Sequence, residues 1–108
     1  MSSDDELIRF IAECLELLGE YSARGQDAFL AERLLQDAVV RRMEILADAA
    51  GRLSDDLKKR HPEIPWRAIV GFRNVVAHAY MGVAMERVWE YLTADLPALR
   101  DLVEQELG

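Results

Sequence analysis

The chain has 108 residues, a net charge of −7, 51% hydrophobic and 31% charged residues, which suits a single domain over residues 1–108 with a small core and excludes a disordered chain. No apolar run reaches the ~18 residues of a membrane span, and the opening MSSDDELIRF has neither the basic nor the apolar region of a secretory leader. Cys14 is the single cysteine and cannot close an internal disulfide, so the expected place is a reducing cytoplasm, with Cys14 itself in the core.

The elements expected along the chain are all helical. From Asp4 to about Ala23, Leu7, Ile11, Leu15, Leu18 and Ser22 recur at helical spacing, behind a serine and the acidic run Asp4-Asp5-Glu6 that suit a helix start. Gly25 breaks the pattern. A second helix is expected from about Asp27 to Leu53, with Leu35, Val39, Met43, Leu46, Ala50 and Leu53 along one side. Ser54 caps a short piece through Arg60, and the two prolines of HPEIPW force an irregular connection. Pro65 then opens a third helix that ends near Gly82. A last helix covers Ala84 to Leu107, kinked at Pro97 or split there with Asp95 as a new cap. No period-two alternation is present. The expected fold is all-α, a four- to five-helix up-and-down bundle.

Charge is unevenly spread. Residues 41–73 carry eight basic and five acidic groups, whereas residues 1–40 carry three and nine, and residues 74–108 two and six. The basic excess ends in the stretch GFRNVVAHAY, residues 71 to 80, where Arg73, Asn74, His78 and Tyr80 interrupt an apolar run. On a helical wheel of 100° per residue, Trp66, Ile69, Val70, Val76, Ala77 and Tyr80 surround Arg73. Arg67, Gly71, Asn74 and His78 occupy a second sector, and Phe72, Val75 and Ala79 a third, also apolar. A helix apolar on two sides is expected to be covered twice, once by its own bundle and once by a second copy of the chain through Phe72, Val75 and Ala79. An arginine in an apolar stripe needs a partner. Either it reaches a carboxylate such as Asp48 or Glu44 and fixes packing, or it serves a substrate phosphate. His78 likewise is either a packed histidine oriented by Asn74 or an acid–base group.

The pattern Arg73-Asn74-x3-His78-x-Tyr80, following PEIPW and preceding LP, resembles the signature of the HepT-like toxins of the HEPN superfamily. The segments QDAVVRRMEILADAAGRL, HPEIPWRAIVGFRN and YMGVAMERVWEYLTADLPALRDLV resemble that family in order, so the likeness covers roughly residues 5 to 105. Ala47-Asp48-Ala49 stands where many relatives read Gly-Glu-Ala, so Asp48 would reach the arginine with one methylene less. The resemblance implies an all-helical homodimeric endoribonuclease, the toxin of a type VII-like toxin–antitoxin pair. Its motif helices face each other across a dimer cleft. Its antitoxin is a minimal nucleotidyltransferase that attaches AMP to the motif tyrosine, here Tyr80. A second class of function, a non-catalytic helical partner and substrate of that nucleotidyltransferase, remains open at this point.

Elementary chemistry agrees with the first class. The ribose 2′-OH is RNA's own nucleophile, so cleavage needs a base, an acid and positive charge on the phosphorane. His78 is an acid–base group, Arg73 a permanent cation and Asn74 a donor beside them. No two His or Cys residues fall at ligand spacing, so neither a metal nor another cofactor is expected.

Overall fold

The computed structural model describes residues 3–72, 74–75 and 85–108. Among these, every regular element is helical, as the all-α expectation requires, and no helix is long and apolar enough to cross a membrane. The elements are α1 (Asp4–Ser22), α2 (Gln26–Ala31), α3 (Arg33–Gly51), α4 (Asp55–Arg60), α5 (Trp66–Val70), α6 (Met85–Glu90), a π-helical turn (Tyr91–Asp95) and α7 (Pro97–Leu107).

α1 forms where the sequence places it. The Ser3 hydroxyl accepts the Glu6 N–H at 3.2 Å and three acidic residues occupy the first turn, so the orphan amides and the positive helix end are both satisfied. Its buried stripe includes Ile8, Ile11, Cys14 and Leu18. Cys14 is fully buried, as expected. That stripe packs on α3 and α7. Gly19 lies at the α7 crossing: a Cβ there would come within 3.1 Å of the Arg100 guanidinium, which donates to the Leu15 carbonyl at 3.1 Å.

The second expected helix is interrupted. Glu32 adopts φ −114°, ψ 113°, which separates α2 from α3. The break leaves the Phe29 and Leu30 carbonyls without their intrahelical donors. The Gln36 amide supplies both, at 3.1 and 3.2 Å. In return α2 turns inward. Phe29 is fully buried, with its ring 5.4 Å from that of Trp89 in α6. One straight helix would carry Phe29 along the line of α3 instead.

Pro97 divides the last helix as expected, but through a different device. The Leu96 N–H bonds the Tyr91 carbonyl at 3.1 Å, five residues back. The widened turn takes up the register that a proline cannot share, since it lacks an N–H and crowds the carbonyl four residues earlier. Leu96 precedes α7, not Asp95, and Pro97 stands in its first turn. Leu99 and Leu102 then enter the core beside Ile11, Leu18, Leu46 and Ile69.

Two ties join sequence-distant ends of the bundle. Asp4 accepts from the Ser54 N–H at 2.9 Å and its hydroxyl at 2.6 Å, while Ser54 caps α4 by accepting the Leu57 N–H. Glu106 accepts from His61 and Arg60. The Ser54 hydrogen bonds hold the Asp4 carboxyl below its ordinary range, and the His61 hydrogen bond, with Arg60, does the same for Glu106. A folded-state pKa below the unfolded one gives stability that is present above the unfolded value and lost as pH falls through the folded value. The wild type's resistance to chemical denaturation should therefore fall as pH drops below about 4. Asp4→Asn should be less stable at neutral pH and show a shallower loss on acidification. An unchanged acid slope in Asp4→Asn would remove Asp4 from that account.

Candidate active site

The motif segment is approached through HPEIPW. Pro65 lies at φ −77°, ψ 68° ahead of α5, and the Ile69 N–H bonds the Pro65 carbonyl at 3.0 Å. Past Gly71 the chain stays helical at Phe72, Asn74 and Val75, with the Asn74 N–H on the Gly71 carbonyl at 3.0 Å.

The orientation of this helix is set by its apolar contacts. Ile69 and Phe72 are buried, and Val75 packs partly buried against the same core. The Phe72 ring meets the Tyr91 ring edge-on, with centroids 5.7 Å apart. This corrects the expectation for the Phe72–Val75 side. At Phe72 it is covered by the chain's own core, because the π turn brings Tyr91 onto it, so the Phe72 ring is not available to a second copy; Ala79 lies outside the described residues. The exposed side carries Arg67, Val70 and Asn74, which share one sector of a 100° wheel. Val70 is 36% exposed and leans on the end of α3, where a Cβ on Gly51 would lie 3.7 Å from it.

Asn74 therefore sits on the outer side of the helix. Asp48 lies on α3, about one turn before Gly51, and its half-exposed carboxylate pairs with Arg52 at 3.2 Å. It lines an open groove of about 370 Å³ between α1 and α3, with Phe10, Ile45, Ala49 and Arg52. Glu44, the other expected partner of the motif arginine, stands 4.0 Å from Arg41. Arg73, His78, Tyr80 and Ala79 lie outside the described residues, so the site constellation and any Arg73–Asp48 pair do too.

Much of the basic excess of residues 41–73 is occupied within the fold. Arg52 meets Asp48, Arg60 meets Glu106, and Lys58 Nζ donates to the Gly51 carbonyl at 3.1 Å. Lys59 and Arg67 are exposed, Arg67 on the same side as Asn74.

One residue beside the motif escapes the sequence reading. His61 is 5% exposed, with Nε2 2.7 Å from Glu106 Oε2 and Nδ1 3.4 Å from Glu63 Oε1. Its carbonyl accepts the Trp66 indole N–H at 3.0 Å. Only its place in HPEIPW hinted at this, since Glu106 is far along the chain.

The family described as Ribonuclease HepT-like matches residues 11–106. The chain is 35% identical over 104 residues to a probable ribonuclease HepT of Thermococcus cleftensis, covering 95% of this chain and 94% of that one. It is 33% identical over 95 residues to a Methanocaldococcus jannaschii protein named as a gamma-glutamylcyclotransferase and, provisionally, an RNase, covering 87% of this chain and 43% of that longer one. It is 29% identical over 101 residues to a protein of Caldanaerobacter subterraneus subsp. tengcongensis, also provisionally named an RNase, covering 94% and 90%. No solved structure matches. With a match across nearly its whole length and an all-helical fold among the described residues, the chain belongs to the HepT-like ribonuclease family.

Proposed function

We propose that the chain is an endoribonuclease that cleaves RNA by 2′-OH attack, with Arg73, Asn74 and His78 as its working groups. The observation that carries this reading is the family match over residues 11–106, which includes the motif. The outward setting of Asn74 supports it, because Ile69 and Phe72 face the core and leave the neighbouring sector to solvent. His78 is four residues after Asn74, so a helix continued in this register carries both on one face.

In this scheme a histidine base takes the 2′-OH proton, and the 2′-oxygen forms a bond to phosphorus. The bond from phosphorus to the 5′-oxygen breaks, and an acid returns a proton to that oxygen. The products are a 2′,3′-cyclic phosphate and a 5′-hydroxyl. Arg73 neutralises charge building on the phosphorane. Asn74 orients the imidazole or donates to phosphate. One imidazole cannot be base and acid in the same step, so the reading includes a homodimer in which His78 of each chain serves one role. The exposed Val70, beside Arg67 and Asn74, gives a second copy apolar surface next to the site. The reading places the pair in a reducing cytoplasm, consistent with a lone, buried Cys14.

Cleavage should survive EDTA and leave cyclic phosphate ends, and His78→Ala should lose on the order of 10²–10⁴ in rate. End analysis by mass spectrometry and cleavage rates on a defined RNA check this. Ends bearing 5′-phosphate, or an equal rate in His78→Ala, would overturn this mechanism, and no cleavage by the wild type would favour the non-catalytic helical partner over the nuclease.

Regulation in this reading is by a minimal nucleotidyltransferase antitoxin that modifies Tyr80. The Tyr80 oxygen attacks the α-phosphate of ATP, pyrophosphate leaves, and AMP stays on the ring. Tyr80 is seven residues after Arg73, two helical turns along and within about 20° of the same direction. The adduct's phosphate can thus pair with Arg73 and occupy the place of the RNA phosphate. Incubation with the cognate nucleotidyltransferase and ATP should add AMP mass to the Tyr80 peptide and stop cleavage. A Tyr80→Phe variant modified to the same extent would exclude Tyr80.

A further inference from the structure

His61 is the one buried polar or charged residue among the described residues, so its contacts must offset the cost of removing an imidazole from water. A carboxylate only accepts, hence Nε2 carries its hydrogen and donates to Glu106 Oε2 at 2.7 Å. Arg60 donates to the other Glu106 oxygen at 2.9 Å. Both oxygens of this α7 carboxylate are therefore turned onto the junction between α4 and α5. Glu63, 60% exposed, faces the remaining ring nitrogen at 3.4 Å.

The main chain of His61 continues the connection. Its carbonyl accepts the Trp66 indole N–H at 3.0 Å and the Ile64 N–H at 3.2 Å, and the Trp66 N–H in turn bonds the Ile64 carbonyl at 2.8 Å. Trp66, the first residue of α5, is thus tied by ring and backbone together. α5 has five residues, too few to hold itself as a helix, so its setting must come from anchors outside it. Ile69 and Phe72 press one side onto the core but leave rotation and sliding soft, since apolar contact is non-directional. Trp66 adds a directional tether at the start.

We propose that His61 is a positioning residue for the motif helix: the clamp from Glu106 of α7 through His61 to Trp66 fixes how α5 is turned, and so where the groups after Gly71 point. Its kinetic consequence rests on the reading of those groups as catalytic, whereas its structural content does not.

The test uses the full ¹⁵N-labelled chain as wild type, Glu106→Ala and Glu106→Gln, comparing amide and indole resonances with kcat and KM on RNA. In Glu106→Ala the Trp66 indole and the Ile69, Gly71 and Asn74 amides should move, while Val39 and Leu46 in α3 stay in place. Activity per folded molecule should fall on the order of 10- to 100-fold in kcat with KM within about twofold, as a small misplacement of catalytic groups produces. Glu106→Gln keeps an oxygen to accept from Nε2, so it should restore the resonances and most of kcat. Changes confined to α7 and His61 would overturn the proposal, as would a kcat loss equal to the loss of folded chain or a folded Glu106→Gln no better than Glu106→Ala. If the wild type cleaves no RNA, the ribonuclease reading fails and the resonances alone decide the clamp.

Discussion

A helix that is apolar on two sides can be seated two ways, and the choice decides where its polar groups point. Here Ile69 and Phe72 take the core. Burying a side chain of that size contributes about 1.5–3 kcal/mol. The opposite seating would expose Phe72 and drive Arg67 and Asn74 inward, where an unpaired amide alone costs about 1–3 kcal/mol. Both terms favour the observed setting. Arg67, Val70 and Asn74 face outward as a consequence.

The last helix exists in its observed form to complete this seat. A regular helix through Pro97 would meet a lost donor and a ring clash. The π turn at Tyr91–Asp95 resolves both and places the Tyr91 ring against Phe72. Further along, α7 returns Glu106 to His61 and Arg60. One C-terminal element thus supports the motif helix from its flank and from the loop that begins it. α2 serves a similar end from the other side: its turn at Glu32 sends Phe29 to Trp89, which closes the core beneath α6.

Local signals in the sequence were enough for α1, the Ser54 cap and the burial of Cys14, because caps and 3.6-residue stripes act over a few residues. They also located Pro97 as a discontinuity, though not the π turn that absorbs it. The break at Glu32 was hidden, since Leu35, Val39 and Met43 continue a helical stripe and the Gln36 side chain that makes the break tolerable has no fixed sequence signature. The wheel revealed two apolar sides on the motif helix but not which one its own core would claim. That depended on Tyr91, which becomes a neighbour of Phe72 only after folding. His61 and Glu106 were illegible for the same reason. Of the expected site residues, the wheel grouped Asn74 with Arg67 but did not say that this sector would face outward, and Asp48 stands on α3 beside Arg52.

The proposed ribonuclease scheme takes its base and its acid from the His78 residues of two copies, so it requires a dimer. The most direct measurement is RNA cleavage per chain across a dilution series, set beside the dimer fraction from sedimentation under the same conditions. Cleavage per chain should follow the dimer fraction and vanish as the 12.3 kDa monomer takes over. A rate per chain that stays constant on dilution into monomer would contradict the account.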